Sequence, residues 1–455
     1  MRARRQRSTS SRAAASVPPV PSPLASPRLR RIILAYTVNR LGSWVGLVAL
    51  SLAVFDHTHS ALAVAALLFA WQALPAFVVP ALVARVEASS RGRELSGLYF
   101  FEAIVTALLA ILLSRFSLLP LLLLAALDGT AALAASALLR AAVARAGREQ
   151  AEEMAGGTGL RGQSAEDAAQ EAERRANAAL NVAFSVAFIG GPILGGAITA
   201  AIGAPAALLI DVGSFAICGA LLIDLHPHVE EAGGDSVRAR LHAAWRHVSG
   251  TPALRTLLLV ETLTLLFVEA AGPIELVFAR ATLGAGDRGY GLLVTAWGAG
   301  YVLGSVVFAR MTRRSLGLLL SAGTLALGTA FVGYAAAPTL ALACVAAGVG
   351  GVGNAVEWPA LISLVQGMSP QQLHGRMMGA VESLASICLA AGLALGGALV
   401  ALTSPRAAFL VIGVGAVTTA GVFARLTMTG LQAQTDEGAP ARAISASTPP
   451  EPAPE

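Results

Sequence analysis

Runs of about twenty or more apolar residues recur along the whole of this chain, and they limit its fold more than any other feature. Ile32 to Phe55 and Leu118 to Leu139 are two of them. About 20 apolar residues at 1.5 Å rise span the ~30 Å hydrocarbon core of a bilayer. No water reaches that core, so backbone groups must bond within the segment and each run must be a helix. A membrane β-barrel would show alternating segments of about ten residues, and these are absent. Composition agrees. Of the 455 residues, 55% are hydrophobic and 13% charged, against about 25% charged in a soluble domain. The chain reads as an all-α membrane protein.

Twelve spans are expected, near 32–55, 61–84, 95–114, 118–140, 176–201, 205–224, 253–279, 289–309, 316–336, 339–367, 377–402 and 405–429. Alternate connections are short and carry few arginines, among them Arg115, Arg280 and Arg288. The other set holds Arg85, Arg91, Arg93, Arg140, Arg145, Arg148, Arg174, Arg175, Arg238, Arg240, Arg246, Arg310, Arg313, Arg314 and Arg376. The positive-inside rule places that set and both termini in the cytoplasm, with the chain multi-pass in the cell membrane. The net charge of +5 comes from arginine alone, with no lysine. Its one-sided placement explains it without nucleic acid, which is not an expected partner.

Residues 1–27 and 430–455 are expected to be disordered cytoplasmic tails, and the first has no apolar core to make it a signal peptide. Cys218, Cys344 and Cys388 fall inside apolar runs and read as small buried side chains. His57/His59 and His226/His228 lack a third ligand, so no metal is expected. No cofactor is implied.

The chain also repeats itself. Gly191-Pro-Ile-Leu-Gly-Gly-Ala-Ile-Thr-Ala resembles Gly392-Leu-Ala-Leu-Gly-Gly-Ala-Leu-Val-Ala, and Arg175 and Arg376 open these two segments about 201 positions apart. Ala70-Trp71 matches Ala296-Trp297 about 226 apart. The offset falls by roughly the length of an extra segment between helices 4 and 5. The expected organisation is a six-helix half at 28–224 with a cytoplasmic insertion at 147–175, a linker at 225–252, and a second, parallel half at 253–429. Within the insertion, Ser164-Ala-Glu-Asp reads as a capping box opening a solvated extension of helix 5. Val237 to Val248 reads as an amphipathic helix on the cytoplasmic surface. Parallel halves with a site between them at mid-membrane are a transporter architecture.

With these residues in view, the chain resembles the major facilitator superfamily over about 28–429. It looks closest to the bacterial drug, macrolide and siderophore exporter branch. Ser60-Ala-Leu-Ala-Val with Ala73-Leu-Pro resembles that branch's helix 2. Leu283-Gly-Ala-Gly-Asp-Arg-Gly-Tyr-Gly-Leu-Leu resembles its helix 7–8 entry, and Asp211-Val-Gly-Ser-Phe its helix 6. Gly191-Pro192 through Gly195-Gly196 resembles the antiporter motif of helix 5, which in the family implies export. Two departures stand out. The loop Pro80 to Arg93 and its second-half equivalent, Gly304 to Arg314, keep arginines but lack the family's Asp. Asp128 stands before Gly129 where the family often has an Arg in helix 4.

Charges inside spans are costly and mark functional candidates. They are Arg40, Glu102, Asp128, Asp211, Glu261, Glu269 and Glu357, with Asp128 and Glu269 nearest mid-span as the leading proton carriers. Glu275 and Glu382 lie near helix ends and are discounted. Arg40 could instead neutralise a neighbouring carboxylate, and Asp211 could bond locally to Ser214. Gly191, Pro192, Gly195, Gly196, Gly304 and Arg310 are candidates for gating or close helix packing. The expected function is export of a small, fairly apolar compound by alternating access with proton antiport, by a monomer in the lipid bilayer. The alternatives are an uptake transporter or a sensor or scaffold with the same fold. No catalytic motif points to an enzyme.

Overall fold

The computed structural model describes residues 26–78, 94–158, 163–223, 245–311 and 314–445. Among these, twelve helices are long and apolar enough to cross a membrane. They are α1 (Pro27–Thr58), α2 (Ala61–Leu68, continuing through a π-helical turn at Phe69–Ala73), α3 (Glu94–Leu112) and α4 (Leu118–Thr158). Then follow α5 (Gln163–Ile202), α6 (Ala204–Leu221), α7 (Pro252–Val277, ending in a π-helical turn at Phe278–Thr282) and α8 (Gly286–Arg310). The last four are α9 (Leu316–Ala336), α10 (Leu340–Gly367), α11 (His374–Leu402) and α12 (Pro405–Ser445). No strand occurs among the described residues.

Local chemistry sets several helix starts. Ser26, Ser60, Ser315 and Thr339 precede α1, α2, α9 and α10, and each side-chain oxygen accepts a backbone N–H of the first turn. Each thereby satisfies one of the donors a helix start leaves open. Large apolar side chains face outward along the spans: Ile104, Ile111, Leu119 and Val345 are each more than 60% exposed. In water that surface would drive association; in hydrocarbon it is the natural lining.

The repeat is visible in the helix crossings. A Cβ placed on Gly129 of α4 would lie 1.9 Å from the Trp71 carbonyl of α2, and one on Gly351 of α10 would lie 2.0 Å from the Trp297 carbonyl of α8. Gly191 of α5 faces the Trp44 Cβ of α1 at 2.4 Å, and Gly392 of α11 faces the Glu269 Cβ of α7 at 2.6 Å. Gly196 meets the Asp287 carbonyl of α8, and Gly397 meets the Ala65 Cβ of α2. The glycines of α5 and α11 keep the 201-residue offset of the repeat, and each crossing needs a residue without a side chain because backbone passes against backbone or Cβ. α5 against α8 and α2 against α11 are thus the two equivalent contacts between the halves.

The core divides in a telling way. On the side opposite the chain termini, one apolar cluster takes residues from both halves, including Leu52, Leu67, Leu121, Ile274, Phe331 and Phe409. On the termini side each half keeps its own. The first packs Ile32, Leu95, Leu139 and Leu180, and the second Leu254, Leu320, Val365 and Met377. Among the described residues, the halves share an apolar core on one side only.

Four boundaries differ from expectation. α1 starts at Pro27, at the edge of the expected tail. α4 runs to Thr158 and α5 starts at Gln163, so both helices, not α5 alone, project beyond the bilayer as an antiparallel hairpin. Its tip region is held by Ala151, Ala169 and Ala172 and by Arg148 paired with Glu166 and Glu173. α5 also opens one residue before Ser164, the expected cap. α12 continues as helix to Ser445, through 430–445 where disorder was expected; a helix already nucleated extends at the cost of one residue at a time. The helix expected at Val237–Val248 lies largely outside the described residues; its end is helical over 245–250. The loop Pro80 to Arg93 also lies outside them.

Candidate functional site: the cleft between the halves and its buried carboxyls

The closed side of the cleft is fastened by polar as well as apolar contacts. Thr295 of α8 donates its hydroxyl to the Ile189 carbonyl of α5 at 2.9 Å. Arg280, in the π-helical turn that ends α7, pairs with Asp56 of α1 and with Asp287 at the start of α8. One arginine therefore ties the first half to the second at the rim opposite the termini. Sequence reading noted Arg280 only as one of the sparse arginines of that side.

Just inside the closure lies an aromatic group that spans the halves. Trp44 of α1 is 5.1 Å from Phe188 of α5, which meets Phe184 at 5.6 Å and Tyr301 of α8 at 6.0 Å, edge to face. Arg40, one turn from Trp44, sits over the rings of Tyr36 and Phe184 at 5.6 and 5.9 Å. The ion pair that the sequence left open for it does not form among the described residues. Among the described residues Arg40 has only a 3.4 Å contact from its Nε to the Tyr36 hydroxyl. Glu269 of α7 is half-buried and, as the crossing at Gly392 shows, occupies the position in the second half that Trp44 has in the first.

Inside the first half, three acids converge. Asp128 of α4 accepts hydrogen bonds from the Trp71 indole of α2 at 2.8 Å and the Thr106 hydroxyl of α3 at 3.0 Å. Asp211 of α6 accepts from Ser214 at 3.0 Å, the local bond the sequence allowed, and packs against Gly42 and Gly46 of α1. Glu102 of α3 is 1% exposed with one carboxyl oxygen unpartnered. A cavity of about 20 Å³ touches Asp128, Asp211, Trp71 and Thr106, room for a water. The second half lacks this arrangement. At the place of Asp128 stands Gly350, and the Trp297 ring lies against it.

The second half has its own acids. Glu261 of α7 and Glu357 of α10 are both buried. Both Glu261 carboxyl oxygens and Glu357 Oε1 are without a hydrogen-bond partner among the described residues. Glu275, discounted from sequence, is half-buried and accepts a hydrogen bond from Tyr334 at 3.1 Å. Its place near the end of α7 suggested water, but Tyr334, itself buried, encloses it. Gly304 packs against the Val352 carbonyl of α10 within the second half, and Arg310 is exposed at the end of α8. Pro192 lies inside α5, where its carbonyl meets Gly291 of α8. Among the described residues no group of three metal-ligating side chains occurs.

Residues 257–451 match the family model described as Major Facilitator Superfamily. A relative in Bacillus subtilis (strain 168), an uncharacterized MFS-type transporter named YfiS, is 28% identical over 239 residues. That match covers 49% of this chain and 56% of YfiS, so the chain spans little more than half the length of this relative. The nucleoside transporter NupG has the same fold with a TM-score of 0.67 at 11% identity, over 88% of this chain and 99% of NupG. A POT family transporter crystallised with a thioalcohol-conjugated peptide follows at 0.62 and 11%, over 88% and 96%. A bacterial metal transporter gives 0.59 and 16%, over 88% and 99%. At such identities the likeness speaks for the fold alone. Over nearly its whole length the chain thus has the fold of these transporters, and its second half matches the Major Facilitator Superfamily model.

Proposed function

We propose that the protein is a secondary transporter that exports a small, fairly apolar compound by alternating access, driven by proton antiport. One observation carries this reading: among the described residues, the two halves share an apolar core on one side only, opposite the termini. With the termini in the cytoplasm, as the arginine distribution indicates, this is the state open to the inside. Rocking the halves about the α5–α8 and α2–α11 crossings would exchange the open side. The half-buried aromatic wall suits an apolar cargo, and the motif at Gly191-Pro192 favours export.

Proton coupling rests on the buried acids. A carboxyl in a membrane interior can move with or without its proton, but the charged form is far more costly to bury unpaired. Asp128 is the leading carrier inside the first half, and Glu269 the one on the cleft wall. Efflux from proteoliposomes with an imposed proton gradient, across a panel of dyes and antibiotics, tests this. Wild type is compared with Asp128→Asn and Glu269→Gln. Gradient-driven efflux, lost in one of the two variants at normal insertion, is the expected result. Efflux indifferent to the gradient and to both substitutions would refute antiport through these carboxyls.

A further inference from the structure

An arginine inside a membrane span costs several kcal/mol unless something compensates it. Arg40 has no carboxylate within ion-pair distance among the described residues, and only its Nε finds a protein acceptor. Its guanidinium is half-buried, and its two terminal nitrogens have no protein partner there and are not sealed off from open space. Five donors in a planar fork are suited to a carboxylate or another oxyanion.

The surroundings say what the rest of the ligand should be. The guanidinium is backed by Tyr36 and Phe184. From Phe184 the aromatic surface continues through Phe188 to Trp44 and, across the cleft, to Tyr301. Aromatic walls of this kind stack planar apolar bodies. Glu102 makes no ion pair with Arg40 among the described residues, and its Oε2 is without a partner, so it does not occupy the guanidinium's open face. Glu269, when ionised, stands on the opposite wall and sorts an anionic end toward the first half.

We propose that the cleft takes an amphiphilic organic anion, a planar aromatic body carrying a carboxylate, with the carboxylate on Arg40 and the body along Phe184, Phe188, Trp44 and Tyr301. This rests on the transport reading above and narrows its cargo from apolar compounds in general to aromatic weak acids.

The test uses full-length protein in lipid nanodiscs, with empty nanodiscs as the blank. Equilibrium dialysis compares 2-naphthoate with its neutral methyl ester, for wild type, Arg40→Lys and Arg40→Gln. Wild type should bind the acid about tenfold or more in preference to the ester, as expected for a charge-assisted bond. Arg40→Lys should keep part of that preference and Arg40→Gln lose it, with ester binding unchanged because the aromatic wall is intact. A wild type that binds the acid no better than the ester, or binds neither, overturns the proposal. So does a preference that survives in Arg40→Gln. Reconstituted transport separates the two ideas. Acid preference in binding without movement across the bilayer keeps the anion site and sinks the transport reading. Movement of cargo without acid preference does the reverse.

Discussion

At the scale of single residues, the same glycine can be a free site or an immovable one. Gly196 of α5 passes so close to α8 that a Cβ would stand 2.5 Å from the Asp287 carbonyl, whereas Gly213 of α6 has nothing within 4 Å. Gly196→Ala is therefore expected to destabilise the protein by about 1–3 kcal/mol through overpacking. Gly213→Ala should raise stability by about 0.5–1 kcal/mol from helix propensity. Thermal unfolding in detergent reads both, and equal effects of the two would contradict the crossing described here. Trp71 offers a second residue-scale prediction. Trp71→Phe leaves Asp128 with Thr106 as its one remaining donor, at a cost of about 1–3 kcal/mol for the lost partner of a buried carboxyl. Trp297→Phe removes no bond to a carboxylate, since Gly350 stands opposite, and should cost less in the same assay. The sequence brought Asp128, Asp211 and Glu269 to notice because charge in an apolar run is conspicuous. It could not show that Trp71 reaches Asp128. That contact is made from a π-helical turn, and no residue pattern in Phe69–Ala73 announces one.

At the scale of elements, the spans were legible and their ends were not. Apolar content defines the part of a helix inside lipid, so all twelve spans could be read from it. Beyond the bilayer that signal stops. The extension of α4 to Thr158 was missed because Arg140, Arg145 and Arg148 look like a loop when burial is the only criterion, though Ala-rich sequence there favours helix. The extension of α5 was found because Ser164-Ala-Glu-Asp reads as a capping box and the mixed charges after it suit a solvated helix. The resulting hairpin is tied by Arg148 to Glu166 and Glu173, and to α1 by Arg28 and Glu149, all on exposed surface. Exposed pairs contribute little. Arg148→Ala should change stability by less than about 1 kcal/mol, while bulk at the hairpin's close approach should matter more. A Cβ on Gly147 would lie 3.2 Å from the Ala172 carbonyl, so Gly147→Leu should open the hairpin. Proteolysis between 145 and 175 measures this: faster cutting in Gly147→Leu than in Arg148→Ala is the expected order, and the reverse order would mean that charge holds the two helices together.

At the scale of the whole molecule, the internal repeat was the sequence feature that reached furthest. It led to two parallel halves, and the paired crossings at Gly191 and Gly392, and at Gly196 and Gly397, keep its 201-residue offset in space. The repeat could not say which side was closed, because that depends on how the halves lean. Nor could it pair Arg280 with Asp56, since residues from opposite halves meet only once the chain is folded. The central claim is that the halves, joined opposite the termini, exchange that closure for one on the termini side. Spin labels test it directly, in a background with Cys218, Cys344 and Cys388 replaced by Ala. One pair at the exposed positions Ser117 and Thr403 reports the side opposite the termini, and one at Arg174 and Gln371 reports the termini side. Distances are recorded in nanodiscs at low and high pH, with and without 2-naphthoate. A condition that lengthens the first distance is expected to shorten the second. Two distances that stay fixed in every condition, or that lengthen together, would contradict it.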